Sequence, residues 1–248
     1  MSFPSSGLLS RGELLVLTDE VSSPAEFLIH RILSTHLKEA NESKCLFLSV
    51  SESLTRLRAI AGKSNLNLPQ YIQSGSFHFV DVASQIDPPV KIETSFNQQP
   101  SLKPIFELTK QKLSGWSGTE SSVLVILDDI STLEWIGYSI TDLLRFIRVL
   151  SAFCRKANAS LLIRHHIVTP SEPDDILRLL RQLCAYHLEV LPLSTGRSGS
   201  VSGQVALHPG PGITQPVHRP ITRKLAVQYR LTDTNVVFFE RGTGNTVL

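Results

Sequence analysis

The chain has 248 residues, 42% of them hydrophobic, and a formal net charge of +2. This length suits one α/β domain with a full core over 1–248, while a charge so near zero identifies no class of partner. The N-terminus lacks a signal-peptide pattern, and no apolar run approaches the roughly 18 residues that span a bilayer, so we expect no membrane segment. Three widely spaced cysteines, Cys45, Cys154 and Cys184, suit buried free thiols, and we expect a cytoplasmic or nuclear protein.

The first half of the chain alternates strand and helix patterns. Residues 14–17 and 44–50 are short apolar runs typical of buried strands, and apolar residues at helical spacing fill 24–39 between them. A strand–helix–strand unit joins parallel strands, so this pattern predicts a parallel sheet covered by helices. The further elements predicted in this half are helices over 53–61 and 104–113 and strands over 77–82 and 123–127.

The second half continues the alternation and then changes. A helix over 141–157, a strand over 161–163, a helix over 173–184 and a strand over 188–191 are predicted. After Pro192, apolar segments follow one another without helices, which predicts antiparallel strands at one edge of the sheet, the last two joined by a turn at 232–235. The sequence thus predicts an α/β fold with a mostly parallel central sheet, flanking helices and antiparallel C-terminal strands. Polar surface loops are predicted over 87–100, 195–200 and 208–212.

The strand that runs into Asp128 and Asp129 carries the strongest functional pattern. Such carboxylates hold Mg²⁺ in P-loop nucleotide hydrolases, in what is called the Walker B strand. The loop after the first strand, residues 18–25, has no Gly and no Lys, so the phosphate-binding Walker A loop is missing. Asp19 and Glu20 also place negative charge where phosphates would lie, at a cost of about 1 to 4 kcal/mol per charge pair. Asp128 and Asp129 either retain a metal-binding role or act structurally, one capping the next helix and one pairing with a neighbouring strand.

A basic segment and a basic strand end are candidates for contact with an anion. No acidic residue lies between Glu189 and Asp233, although several cations do. These cations form an ordinary solvated face, a surface for an anionic ligand, or an interface with an acidic neighbour. Adjacent histidines on a strand point to opposite sides, so we predict no zinc site, and no catalytic constellation or cofactor site is predicted. The candidate RNA contacts are Arg164, His165 and His166, on a loop after the strand at 161–163, and Arg219, Arg223 and Lys224.

Over most of its length the chain resembles the family of the sixth subunit of the Elongator complex. The resemblance rests on the order of the strands and helices, on the Asp-Asp strand without a phosphate loop, and on several local segments. These segments are 27–30 (FLIH), 102–107 (LKPIFE), 123–130 (VLVILDDI), 215–219 (QPVHR), 229–239 (YRLTDTNVVFF) and 246–248 (TVL).

The resemblance implies a RecA-like domain without an ATPase motif of its own. It implies a hetero-hexameric ring with Elongator subunits four and five, two copies of each, next to the catalytic Elongator subcomplex. That ring binds tRNA and helps to control its release during modification of the wobble uridine, so the chain would be scaffold and RNA contact, not an enzyme. Phe238 and Phe239 would cover a sheet edge or leave an apolar interface for a neighbour.

Two alternatives remain open. One is a divergent nucleotide hydrolase that uses Asp128 or Asp129 with a phosphate cradle supplied by a neighbouring subunit. The other is a monomeric RecA-like adaptor.

Overall fold

The computed structural model describes residues 3, 7–39, 42–86, 101–116, 121–170, 172, 174–193, 201–213, 216–232 and 235–240. The predicted loops at 87–100 and 195–200, residues 233 and 234 of the predicted turn, and the segment 246–248 lie outside the described residues. The strands are β1 (Leu14–Glu20), β2 (Lys44–Ser49), β3 (Phe77–Asp81), β4 (Val123–Asp128), β5 (Ser160–Ile167), β6 (Tyr186–Leu191), β7 (Gly203–Pro209), β8 (Val227–Leu231) and β9 (Val236–Phe239).

Seven α-helices lie among the described residues, together with 3-10 turns at Ala83–Gln85 and Arg223–Leu225. Side-chain caps fix several helix starts, because an oxygen of the residue before the helix accepts a hydrogen bond from a backbone N–H of the first turn. Ser53, Asp129, Ser139 and Asp174 act in this way. The helices are α1 (Glu26–Glu39), α2 (Leu54–Lys63), α3 (Leu68–Gln73), α4 (Lys103–Gly115), α5 (Ile130–Trp135), α6 (Ile140–Lys156) and α7 (Asp175–Leu183).

The strands form one sheet in the order β3-β2-β4-β5-β1-β6-β7-β8-β9. The first six strands in this order are parallel, whereas β7, β8 and β9 pair antiparallel to their neighbours. Helical crossovers separate the parallel strands, as chain geometry requires. In the connections of the antiparallel strands, the residues that the structure describes form no α-helix. This topology confirms the predicted fold class.

Two hydrophobic cores lie on the two faces of the sheet. Along β1, Leu15 and Leu17 belong to one core, while Leu14 and Val16 belong to the other. The first core also includes α1, α2 and α3, and the second includes α4, α6 and α7. Strands covered on both faces read as continuous apolar runs, which explains the pattern of β1, β2 and β4. As expected, the three cysteines are free and buried.

The main corrections concern the extent of strands and short helices. Strand β5 runs to Ile167, not to residue 163, because its register with β1 continues to the pair Glu20↔Ile167. The segment predicted as a loop at 208–212 packs closely against the end of α7, where a Cβ on Gly210 would lie 2.2 Å from the Cys184 carbonyl oxygen. Helices α3 and α5, six residues each, were not predicted. Among the described residues, no helix is long and apolar enough to cross a membrane.

Candidate functional site at the carboxyl edge of the sheet

A buried arginine fills the space between the ends of two parallel strands. Arg164 lies on β5, between β4 and β1, and its side chain is 6% exposed. Its Nη2 donates to Asp19 Oδ2 on β1 at 2.7 Å and to Glu26 Oε1 on α1 at 3.0 Å. Its Nη1 donates to Asp128 Oδ1 at the end of β4 at 3.1 Å. One guanidinium therefore ties both neighbouring strands to the first helix, and we call these four side chains the Arg164 cluster.

The loop between β1 and α1 is organised around an internal carboxylate. Asp19 is fully buried, and its Oδ2 accepts the backbone N–H of Ala25 at 2.7 Å. Its Oδ1 lies 3.1 Å from His166 Nδ1. In P-loop hydrolases this loop turns its amides towards nucleotide phosphates. Here a carboxylate of the chain itself accepts one of those amides.

The electrostatics of the cluster follow from three carboxylates around one guanidinium. Burial alone would raise the pKa of Asp19, but hydrogen bonds from His166 and Arg164 outweigh it and lower that pKa. Burial raises the pKa of Asp128 to about 6, with Arg164 opposing the shift and Asp129 adding to it. The hydrogen bond to Asp19 raises the pKa of His166. Both raised values reduce the excess negative charge, because they favour protonated Asp128 and His166.

Each member of the Asp-Asp pair has a partner inside the chain. Asp129 caps α5, with its Oδ1 accepting the backbone N–H of Thr132 at 2.7 Å, while Asp128 pairs with Arg164 on the neighbouring strand. The peptide bond between the two aspartates is cis. These contacts are those of the structural alternative that the sequence left open. In the part of the chain that the structure describes, no group of three or more His, Cys, Asp or Glu side chains could hold a metal ion.

A second buried cluster lies beside the first and was not predicted. His165 is 2% exposed, its Nε2 lies 2.5 Å from Asp174 Oδ2, and its Nδ1 lies 2.9 Å from Ser131 Oγ. The same Ser131 Oγ accepts the backbone N–H of His166 at 2.7 Å and lies 3.1 Å from the His166 carbonyl oxygen. Ser131, His165 and Asp174 therefore form a continuous series of hydrogen-bond contacts, but the Ser131 hydroxyl also bonds to the backbone of His166 in β5. No local sequence signal marks this cluster, because its residues come from three separate elements.

The structure corrects the prediction that Arg164 and His165 form an exposed basic loop. Both side chains lie within β5 and are buried, at 6% and 3% side-chain exposure, because carboxylates from other elements surround them. His166 is 13% exposed in its side chain and bonds to Asp19. The three residues predicted to contact RNA at this edge are thus held by internal ion pairs.

The C-terminal cations are accessible. Arg219, Arg223 and Lys224 are all exposed. Arg223 nevertheless forms a bidentate ion pair with the buried Glu189 of β6, with Nε–Oε2 and Nη2–Oε1 distances of 2.8 and 2.6 Å. Burial alone would raise the pKa of Glu189, but hydrogen bonds from Arg223 and His208 lower it to about 2. Arg223 therefore anchors the 3-10 turn Arg223–Leu225 to the sheet.

The two phenylalanines of β9 divide between core and surface. Phe238 is 4% exposed, and its ring lies 5.2 Å from Phe3 and 6.4 Å from Tyr229, measured between centroids. The guanidinium of Arg31 lies 5.4 Å above the same ring. The expectation that Phe238 presents an apolar interface is therefore corrected, because the ring covers the sheet edge within its own chain. Phe239 is half-buried.

Comparisons with known proteins agree with this architecture. A KaiC-like protein from Pyrococcus horikoshii superimposes with a TM-score of 0.65 over 92% of this chain and 90% of that protein, at 9% identity, and it shows a RecA-like fold. Elongator complex protein 6 of Danio rerio is 26% identical, covering 96% of this chain and 93% of the relative. Elongator complex protein 6 of Homo sapiens is 27% identical, covering 96% and 94%.

A family model described as Elongation complex protein 6 matches residues 4–233. This match spans every helix and all strands up to β8. Because this match covers most of the chain, the chain belongs to the Elongation complex protein 6 family.

Proposed function

We propose that this chain is a non-catalytic, RecA-like subunit of the Elongator accessory ring. In this proposal it assembles with Elongator subunits four and five, two copies of each, and it supports the binding and release of tRNA during wobble-uridine modification. Its family membership supports a place in Elongator. The observation that carries the non-catalytic part is the buried Arg164 cluster.

To bind a nucleoside triphosphate, this fold needs backbone N–H groups and cations that are free to contact the phosphates at the end of β1. In this chain Asp19 already accepts the amide of Ala25, and Arg164 already neutralises Asp19 and Asp128. Binding of phosphates at this edge would have to displace buried, charge-assisted hydrogen bonds, each contributing about 1.5 to 3 kcal/mol. It would also bring the triphosphate against a buried carboxylate. Both costs favour a scaffold over a hydrolase.

The proposed tRNA contacts fall on the accessible C-terminal cations. Arg219 and Lys224 are exposed, and the sequence between Glu189 and Asp233 contains no acidic residue. In this proposal Arg223 binds both Glu189 and tRNA phosphate. One edge of its guanidinium donates to Glu189, while its side chain stays 63% exposed. Arg164, His165 and His166 act indirectly, since they fix the ends of β4, β5 and β1.

The proposal is tested first by the native mass of the full chain, alone and co-expressed with Elongator subunits four and five. We expect a discrete complex with two copies of each subunit. A chain that stays monomeric in the presence of both partners would refute the ring and favour the monomeric adaptor.

The hydrolase alternative is tested by the substitution Asp129→Asn in the assembled ring. Asparagine is a good helix cap, so α5 keeps its start. We expect any nucleotide turnover by the ring to be unchanged. A collapse of turnover with intact assembly would instead make Asp129 part of a composite catalytic site.

A further inference from the structure

An acidic pocket with an apolar rim lies at the carboxyl edge of the sheet, beside the Arg164 cluster. It has a volume of about 260 Å³ and is formed by α5, the end of β5 and the start of α7. This volume is just below the roughly 300 to 1,000 Å³ of sites for drug-sized ligands. It therefore suits one or two side chains better than a nucleotide.

Three of the exposed large apolar side chains lie on the rim of the acidic pocket. Trp135 is 58% exposed, Val168 is 56% exposed and Ile140 is 41% exposed, and all three line the pocket. The indole of Trp135 meets the His166 ring edge-on, with a centroid distance of 6.0 Å. A tryptophan that is more than half exposed next to two aliphatic side chains is typical of the centre of a protein–protein contact.

The lining of the pocket contains four carboxylates besides His165 and His166. Glu134, Glu172, Asp174 and Asp175 all contribute to it. Asp174 is paired with His165 and Asp175 with Arg178, whereas Glu134 and Glu172 have no ion-pair partner among the residues that the structure describes. Two unpaired carboxylates next to an exposed indole favour a cation. They oppose a phosphate, so nucleic acid is the wrong occupant for this pocket.

We propose that the acidic pocket receives an arginine side chain, flanked by an apolar residue, from a neighbouring Elongator subunit. A guanidinium stacks on a tryptophan face and binds carboxylates in bidentate fashion, which makes arginine a better fit than lysine. The apolar neighbour covers Val168 and Ile140. Rings of RecA-like domains use a different face of each neighbour, so one such pocket per subunit suffices. This inference rests on the proposed ring function and assigns its docking surface.

The inference is tested by the affinity of the full chain for co-expressed Elongator subunits four and five. Two variants remove the proposed chemistry, namely Trp135→Ala and the double substitution Glu134→Lys with Glu172→Lys. Matched controls are Val149→Ser, an exposed apolar residue further along α6, and Glu107→Lys, an exposed acid on α4. We expect each pocket variant to bind at least about tenfold more weakly, as for truncation of a hot-spot residue, and the controls to bind as the wild type does.

The outcomes separate this inference from the ring proposal. If the wild-type chain does not bind subunits four and five, both are refuted. If it binds and the pocket variants bind equally well, only the docking surface is refuted. Loss of tRNA binding or of self-association, with ring assembly intact, would likewise refute an arginine-bearing Elongator partner.

A measurement without substitutions guards against variants that fail to fold. Backbone amides of residues 131–140 should exchange with deuterium more slowly in the wild-type ring than in the isolated chain, because the partner covers α5. Unchanged exchange in this segment would overturn the proposal.

Discussion

Arg164 acts in this chain as a structural cation, at the edge where hydrolases of this fold hold phosphates. It satisfies three carboxylates from three elements, and its own pKa is raised because Asp19 outweighs the effect of burial. Buried ion pairs contribute little net stability when compared with an apolar replacement of the whole set. Removal of one partner is different, because it leaves uncompensated buried charge.

We therefore predict that Arg164→Leu lowers the free energy of unfolding by about 3 to 5 kcal/mol at neutral pH. Urea unfolding of the full chain measures this loss. Burial raises the pKa of Asp128 and Arg164 opposes this shift, so removal of Arg164 raises that pKa further. Protonation of Asp128 then relieves part of the unpaired charge, and the loss should shrink at pH 5. The control is Arg145→Leu, since Arg145 is 76% exposed in its side chain and should tolerate the change. Equal effects of the two substitutions would refute the role of Arg164.

The buried His187 predicts a loss of stability in acid. Its Nε2 lies 2.7 Å from Thr18 Oγ1, and burial lowers its pKa from 6.5 to about 3. Between pH 6.5 and about 3, His187 binds a proton in the unfolded chain but not in the folded chain. The contribution of neutral His187 to the free energy of unfolding is therefore complete above pH 6.5 and is lost as the pH falls towards 3. The loss approaches about 1.4 kcal/mol per pH unit.

The unfolding free energy measured between pH 7 and pH 5 should therefore be flatter in His187→Asn than in the wild type. Asp128 has the opposite sign, because its raised pKa contributes stability that is lost as the pH rises from 3.8 to about 6. The matched control is Thr18→Val, which removes the hydrogen bond and keeps the histidine, so the steep slope should remain. Burial also lowers the pKa of His30, to about 4, so part of the slope remains in this variant. A slope in His187→Asn as steep as in the wild type would contradict the assignment.

At the scale of elements, Ser131 replaces a missing strand neighbour. Strand β4 pairs with β5 only as far as Leu127↔Ile163, and among the described residues no strand pairs with β5 on that side beyond this point. The Ser131 hydroxyl takes over, since it accepts the N–H of His166 and also contacts its carbonyl oxygen. The short helix α5 is thereby fixed to the end of β5.

We predict that Ser131→Ala destabilises the chain by about 1 to 3 kcal/mol, the cost of leaving buried backbone groups unpaired. Among the backbone amides, that of His166 should show the largest increase in its hydrogen-exchange rate, because it loses its hydrogen-bond acceptor. Ser139→Ala provides a contrast, because Ser139 caps α6 at an exposed site where water replaces the lost bond. A larger effect of Ser139→Ala than of Ser131→Ala would contradict the prediction.

The sequence predicted those elements whose signal is local. Short apolar runs predicted β1 and β2, and apolar residues at helical spacing predicted α1. The absence of a helical pattern after Pro192 predicted the antiparallel edge of the sheet. The extension of β5 was missed because Arg164, His165 and His166 look like the end of a strand. Asp19 bonds to both Arg164 and His166 and lies 145 positions from Arg164, whereas Asp174, the partner of His165, lies nine positions away. The separation from Asp19 explains why the sequence placed Arg164 and His166 on an exposed loop.

At the scale of the whole molecule, the acidic and the basic candidate surfaces come from different segments of the chain. The acidic pocket lies at α5 and the start of α7, while the accessible cations Arg219, Arg223 and Lys224 lie in the connection between β7 and β8. In the two proposals, the contact with protein and the contact with RNA therefore use different residues. The arrangement links the two proposals and allows them to be tested independently.

We predict that the substitutions Arg219→Gln and Lys224→Gln weaken tRNA binding by the assembled ring and reduce its salt dependence. Each phosphate contact that is lost should lower the slope of log affinity against log salt concentration by about 0.7 to 0.9. The measurement is a tRNA titration at several salt concentrations, and Arg145→Gln on α6 is the control with an exposed cation elsewhere. Trp135→Ala should weaken assembly and leave this slope unchanged once the ring is formed. If the slope stays at its wild-type value in the Arg219 and Lys224 double variant, these residues do not contact phosphate, and the RNA surface must lie on another face.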